Sequence, residues 1–274
     1  MDARAFYGLE PTADPAQWSL PIVQSLCSGL GHLFGGCGLG ACVEALEQVT
    51  GRPLVWATGQ YLSYARPPDV LEIRVDEVVR GRQVSQARAV GRVGDDDILT
   101  VNAAFGHRDV EHWGQWAERP DVPPPDTCPP PQLLDRHEST IMDRLDMRMA
   151  DARTFDELDG RPGSGRSSLW VRMPGLLEMS AAALAIVGDY VPFGISQALG
   201  ARAGGNSLDN TLRIAHVVPT EWVLADIRVH TIQAGFGHGL VHLWAENGTL
   251  LGTASQSTIV RAWRDGPSPT GEKS

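Results

Sequence analysis

The chain has 274 residues, 42% of them hydrophobic and 20% charged. That balance excludes a disordered or collagen-like chain and leaves room for one large domain or two small ones. Lys and Arg total 23 against 33 Asp and Glu, a net charge of −10, so the basic footprint of a nucleic-acid-binding protein is missing.

In chain order, Gly35-Gly36 opens a helical pattern in which Leu39, Val43, Leu46 and Val49 recur at steps of three and four, until Gly51 stops it. Strands are expected next, over Trp56–Tyr64, Val70–Val79, Val84–Val93 and Leu99–Phe105. The second of these alternates Leu71, Ile73 and Val75 with Glu72, Arg74 and Asp76, the pattern of a half-buried strand. Turns are expected at Gly81-Arg82 and Gly94–Asp97. Pro120–Pro131 then holds seven prolines in twelve residues. It can form neither helix nor central strand, because each proline fixes φ and removes a donor. The span 120–166 is therefore expected to be a Pro-rich linker, with room for a short helical or strand piece.

Beyond it the pattern repeats. Ser168–Met173 reads as a strand. Leu176 to about Leu199 reads as mostly helical, with Met179, Ala182, Ala183, Ile186 and Val187 as its apolar face. Pro192 must break or kink it. Strands follow over Ser207–His216, Trp222–Ile232, Leu240–Glu246 and Leu250–Val260, with Asn247-Gly248 as a hairpin turn. Sliding one half on the other pairs Ala65-Arg66 with Ala215-His216, and Ile98-Leu99 with Leu250-Leu251. The expected fold class is thus α+β with an internal duplication, a long helix lying across a curved antiparallel sheet, twice. That is a tandem (double) hotdog. Its expected parts are an N-terminal hotdog over 1–119, the linker over 120–166, a C-terminal hotdog over 167–264 and a flexible tail over 265–274.

Two glycine motifs point to chemistry that their context does not support. Leu30–Gly40, LGHLFGGCGLG, misses the G-x-G-x-x-G spacing, and the strands after it look antiparallel. It reads instead as a glycine-lined helix start where backbone can approach backbone. Gly160–Ser167, GRPGSGRS, has Arg166 where a phosphate loop wants Lys, and a strand follows it. Neither G-x-S-x-G nor H-E-x-x-H occurs. His238 and His242 lie four apart with no third ligand indicated. Cys27, Cys37, Cys42 and Cys128 lack C-x-x-C spacing and read as small buried hydrophobes. No metal and no cofactor are expected. The first residues lack the basic-then-apolar order of a secretory signal. No apolar run is read as approaching the ~18 residues of a membrane span. The last three residues are not a peroxisomal address. A cytoplasmic protein is expected.

The halves differ in one respect that matters. Asp189 sits amid Ala185, Ile186, Val187 and Tyr190 in the second helix, where an unpaired buried carboxylate would be costly. Ser207 and Gln256 fall where sliding the halves puts Ala57 and Ala104. Copies that only held up a fold would have no reason to differ this way.

Over both halves the chain resembles the acyl-CoA thioesterase II family of double-hotdog proteins. Leu33-Phe34-Gly35-Gly36 is similar to its Phe-Gly-Gly helix start. Tyr64-Ala65-Arg66-Pro67-Pro68-Asp69 is similar to its Phe-Leu-Arg-Pro-Gly-Asp turn, and Val101-Asn102-Ala103-Ala104-Phe105 to its closing strand. In the second half, Ser207-Leu208-Asp209-Asn210 and Glu221-Trp222-Val223-Leu224 resemble its Ser/Thr-hydrophobic-Asp-His and Glu-Trp-Leu-Leu elements. The resemblance implies a catalytic trio of Asp189, Ser207 and Gln256 around one water, with Asp189 as general base. It implies an acyl-CoA substrate and self-association into dimers or tetramers. Gly35, Gly36 and Arg66 are expected on the substrate, with backbone N–H groups at the helix start facing the developing oxyanion. Arg66, Arg80 and Arg82 are the candidates for the nucleotide end. The chain departs from the family pattern in having Gly188 before Asp189 instead of Ser, Asn210 instead of His, and Ser257 instead of an acid after Gln256. Two other readings are a non-catalytic acyl-thioester-binding protein on the same fold and a hotdog hydratase. The latter lacks its histidine in Asp189-Tyr190-Val191-Pro192-Phe193.

Overall fold

A computed structural model describes residues 1–111, 114–132, 138–173 and 178–262. A short helix α1 (Ala3–Tyr7) comes first, capped by the Asp2 carboxylate on Ala5 N–H at 2.8 Å. Strands β1 (Glu10–Pro11) and β2 (Gln17–Pro21) follow, then the 16-residue helix α2 (Gly35–Thr50). Gly51 ends α2 in the left-handed region, at φ 65°. The first half closes with β3 (Leu54–Tyr61), β4 (Val70–Arg80), β5 (Val84–Val93) and β6 (Asp96–Gly106).

The second half has β7 (Asp146–Asp151), β8 (Arg166–Arg172), α3 (Ala181–Val187), α4 (Val191–Leu199), β9 (Ala203–Ser207) and β10 (Asp209–Ile214). It ends with β11 (Val223–Gln233), β12 (Phe236–Ala245) and β13 (Leu250–Ala262). The strands run in the order β1-β2-β4-β5-β6-β3-β10-β13-β12-β11-β8-β7, with β9 also on β13, and pair antiparallel throughout the described residues. This is the expected double hotdog, one helical layer against each half of a continuous sheet. The expected tail lies outside the described residues.

The halves join where β3 meets β10. Thr58 faces Thr211 there, their hydroxyls 2.7 Å apart. The same offset of 153 residues that relates these two threonines relates Asn102 to Ser255, each opposite its threonine on the neighbouring strand. The joint is therefore a local two-fold. It also corrects the alignment drawn from the string. Gln256 corresponds to Ala103, not Ala104. Ser207, opposite Thr258, corresponds to Leu54, opposite Phe105, and not to Ala57. The polar-for-apolar difference between the halves stands.

Pro192 does interrupt the second helix. It sits in the first turn of α4, where its missing N–H costs nothing. Gly188, Asp189 and Tyr190 form the break before it. Asp189 is therefore at a break, not inside a continuous helix. The whole span Ala181–Leu199, 19 residues with a mean hydropathy of 1.3, is long and apolar enough by length and composition to cross a membrane. That corrects the expectation of no such run. In this fold it is a core element, 78% buried.

The 120–166 span is more than a connector. Trp170 Nε1 donates to the Pro123 carbonyl at 2.9 Å, and Met149 N–H donates to that of Pro129 at 2.8 Å. Cys128 packs with Trp170, Trp222, Leu224 and Trp244, and β7 extends the sheet beside β8. The proline-rich stretch does hold one short 3-10 turn at Pro125–Thr127, which corrects the expectation of no helix there; the rest is extended chain laid along an outer surface that the tryptophans supply.

Helices α2 and α3 cross in contact because their facing residues are small. A Cβ on Gly36 would stand 2.7 Å from the Ala185 carbonyl. One on Gly40 would stand 2.8 Å from that of Ala182 and 2.1 Å from the Tyr7 hydroxyl, which itself donates to Ala182 O at 3.0 Å. The other face of α2 buries Leu39 and Leu46 completely, each worth about 1.5–3 kcal/mol. Gly40→Val should overpack this crossing at a cost of about 2–3 kcal/mol. The expected outcome in a thermal melt is a Tm lower by roughly 5–10 °C; an unchanged Tm would contradict the close crossing.

Candidate active site

The break between α3 and α4 places Asp189 at the first turn of α2, in the other half of the molecule. Its carboxylate is buried, and Oδ2 accepts from Gly36 N–H at 2.6 Å. This is the positive end of a helix, a natural seat for an anion. The contact needs glycine on both sides. A Cβ on Gly35 would lie 2.7 Å from Oδ2, and one on Gly36 would strike α3.

Ser207 ends β9, and an extra residue in the chain at Leu208 separates its pairing from that of β10 on the same partner β13. Such a bulge re-aims a side chain. The Ser207 hydroxyl lies 3.4 Å from Asp189 Oδ1. Gln256, buried on β13, completes the group. Its Oε1 accepts from Val191 N–H at 3.1 Å, which leaves Nε2 to donate to Ser207 Oγ at 3.0 Å and to Asp189 Oδ1. The trio expected from the resemblance does converge, and the three side chains bond one another directly.

Burial is the largest influence on Asp189 and lifts its pKa from 3.8 to about 7. Hydrogen bonds from Gln256, Gly36 and Ser207 pull the other way without cancelling it. A carboxyl poised near neutrality can take and return a proton.

Asp189 and Ser207 open onto a cavity of about 170 Å³ that is lined also by Leu33, Phe34, Gly35, Tyr61, Tyr64 and Pro192. Gln256 lies behind them. At one side His32 stacks on Tyr64 with ring centroids 4.5 Å apart, and Asn206 donates to the Tyr64 hydroxyl. A larger cleft of about 770 Å³ beside Met173, Val187 and Val217 contains none of the trio.

The other expected contacts divide. Gly35 lines the cavity, but the N–H of Gly36 is spent on Asp189 rather than facing a substrate. Arg66 is exposed and does not line the cavity. It stands close enough that, after burial, its charge helps lower the pKa of His32. Arg80 and Arg82 are corrections. They sit at the turn after β4, where Arg52 holds the Gly81 and Arg82 carbonyls and Arg80 pairs with Glu77 at 2.9 Å. That is the C-terminal end of α2, a helix length of about 24 Å from Gly36. The residue that the sequence reading missed is Tyr61. Its hydroxyl is buried with no hydrogen-bond partner among the described residues.

Comparisons with known proteins show the family and the fold. A family model of the acyl-CoA thioesterase N-terminal domain matches residues 24–106, and one of the acyl-CoA thioesterase C-terminal domain matches 125–260. A protein from Novosphingobium aromaticivorans, described as a candidate thioesterase, is 31% identical over 93% of this chain and 98% of its own, with a TM-score of 0.81. A hot dog fold protein of unknown function from Alicyclobacillus acidocaldarius is 19% identical over 95% and 98%, with a TM-score of 0.83. An acyl-CoA thioesterase II from Mycobacterium marinum is 17% identical over 97% and 99%, with a TM-score of 0.73. No curated protein matches the sequence. The chain belongs to the double-hotdog acyl-CoA thioesterase family.

The raised pKa has a stability consequence. Between about pH 4 and 7 the folded protein holds a proton on Asp189 that the unfolded chain has lost. Stability contributed by that proton is full below pH 4 and is lost as pH rises through 7. Asp189→Asn carries no such titration. Melts of both proteins across this window should show wild type losing stability relative to the variant, by roughly 4 kcal/mol at most. Parallel curves would contradict a buried, raised Asp189.

Proposed function

We propose that the protein hydrolyses acyl-CoA thioesters to free acid and CoA, with Asp189 as general base. The observation that carries this reading is the convergence of Asp189 and Ser207 at the wall of one cavity, with Gln256 bonded to both from behind. Asp189 Oδ1 accepts from both Ser207 and Gln256, whereas Oδ2 accepts only from Gly36 N–H, so Oδ2 retains a lone pair and can still accept from a water. The Ser207 hydroxyl, already fixed by Gln256, can hold that water against the carboxylate. Fixing it removes an entropic barrier to attack.

The balance of the step is simple. Asp189 takes a proton from water, and the water oxygen bonds to the thioester carbonyl carbon. The C–S bond then breaks, and the departing sulfur receives the proton from Asp189. Acid and thiol leave, and the carboxylate is restored. Gln256 acts behind the site by orienting both Asp189 and Ser207, with its own orientation set by Val191 N–H. Family membership, the fold and the pKa near 7 support the reading.

Thiol release from a panel of acyl-CoAs should be detected with a thiol reagent, with a rate that rises with pH through about 7 as Asp189 ionises. Asp189→Asn should lose about 10²–10⁴-fold in kcat, the range for a general base. Tight acyl-CoA binding without thiol release at any chain length would replace this reading with a binding role.

A further inference from the structure

The hydrolysis proposed above needs a donor for the carbonyl oxygen, and the start of α2 is largely committed. Gly36 N–H is bonded to Asp189. Cys37 and Gly38 N–H are bonded to the Phe34 carbonyl, each at 3.0 Å, and Phe34 N–H to that of Leu26 at 2.9 Å. Of the two glycine amides expected at the oxyanion, Gly36 N–H is thus in use within the protein, and only that of Gly35 has no hydrogen bond among the described residues.

Tyr61 offers a side-chain donor in the same place as Gly35. It ends β3, and its backbone N–H donates to the Leu208 carbonyl at 2.9 Å, next to Ser207. Its ring lines the cavity beneath the first turn of α2. The missing Cβ of Gly35 marks the place: the Tyr61 hydroxyl would lie 3.1 Å from it and Asp189 Oδ2 2.7 Å. Hydroxyl and carboxylate therefore flank one small space without bonding each other among the described residues. A buried hydroxyl without a protein partner is free to bond a ligand group, and among such atoms Tyr61 Oη is the one on a residue that lines this cavity.

We propose that Tyr61 is a catalytic residue whose hydroxyl donates to the thioester carbonyl oxygen and stabilises the oxyanion as water attacks. The proton stays on Tyr61 throughout. No bond to it breaks, and the charge that develops on oxygen is met by a preorganised dipole. Burial and the nearby Asp189 charge hold the phenol well above its usual pKa, so it remains a donor over the working range. This assignment rests on the hydrolase reading and is separable from it.

The test is Tyr61→Phe in the full chain beside Asp189→Asn. With an acyl-CoA substrate, Tyr61→Phe should lose about 10²–10³-fold in kcat, the range for one oxyanion donor. Its KM should change little, and the midpoint of the pH–rate profile should stay near 7. The carbonyl stretch of a bound ketone analogue, with CH₂ in place of sulfur, should move to higher frequency in the variant. Its Tm should equal that of wild type, since no protein bond is removed. Wild-type turnover in Tyr61→Phe while Asp189→Asn is inactive would overturn the Tyr61 role and leave Asp189 as base. A pH midpoint moved away from 7, with the analogue's stretch unchanged, would also overturn it by showing that Tyr61 acts on Asp189. Inactivity of wild type itself would instead overturn the hydrolase reading.

Discussion

The structure turns on one hydrogen bond, from Gly36 N–H in the first half to the Asp189 carboxylate in the second. Neither half holds the site alone. The first supplies the positive end of α2 and the wall formed by Phe34 and Tyr61. The second supplies the acid, the hydroxyl and the amide. Much of the local sequence answers to this contact. Gly35 and Gly36 leave room for it, the break before Pro192 aims Asp189 at it, and small residues on α3 let the helices meet. An isolated carboxylate in this position would be prohibitively costly. Three donors make it tolerable, yet burial still outweighs them, and the result is an acid poised near neutrality.

The duplication also explains why the described residues hold one such trio and not two. At the positions related to Ser207 and Gln256 the first half has Leu54 and Ala103, both buried. Counted back from the C-capping Gly51 and Gly200, Asp189 corresponds to Gly40, and the space beside Gly40 is filled by the Tyr7 hydroxyl. The first half has apolar residues at these positions and no gap there. The second has its polar groups beside a cavity.

Much of the fold was legible because its signals are local. The alternation in Val70–Val79, the Asn247-Gly248 turn and the glycine stop after α2 each act within a few residues. The repeat of helix then strands gave the architecture. The trio came from the family resemblance, since nothing in the string brings residues 189, 207 and 256 together. What stayed hidden depends on distant packing. The strand Asp146–Asp151 alternates buried Met147 and Met149 with less buried neighbours, but over too few residues to stand out beside the prolines, and β8 offers it an edge. Arg80 and Arg82 were attractive as charges, but their place at the far end of α2 follows only from the sheet register. The two-fold register, and hence Ala103 rather than Ala104, needed the pairing of Thr58 with Thr211. Tyr61 reads as an ordinary strand aromatic until α2 is laid over it.

Everything at the site follows from Asp189 being a buried acid that changes charge near neutral pH. The most direct measurement is a ¹³C NMR titration of carboxyl-labelled aspartates in wild type and Asp189→Asn. One resonance should titrate with a midpoint near 7 and be missing from the variant. A full set of aspartate signals titrating near pH 4, with none lost above it, would contradict it.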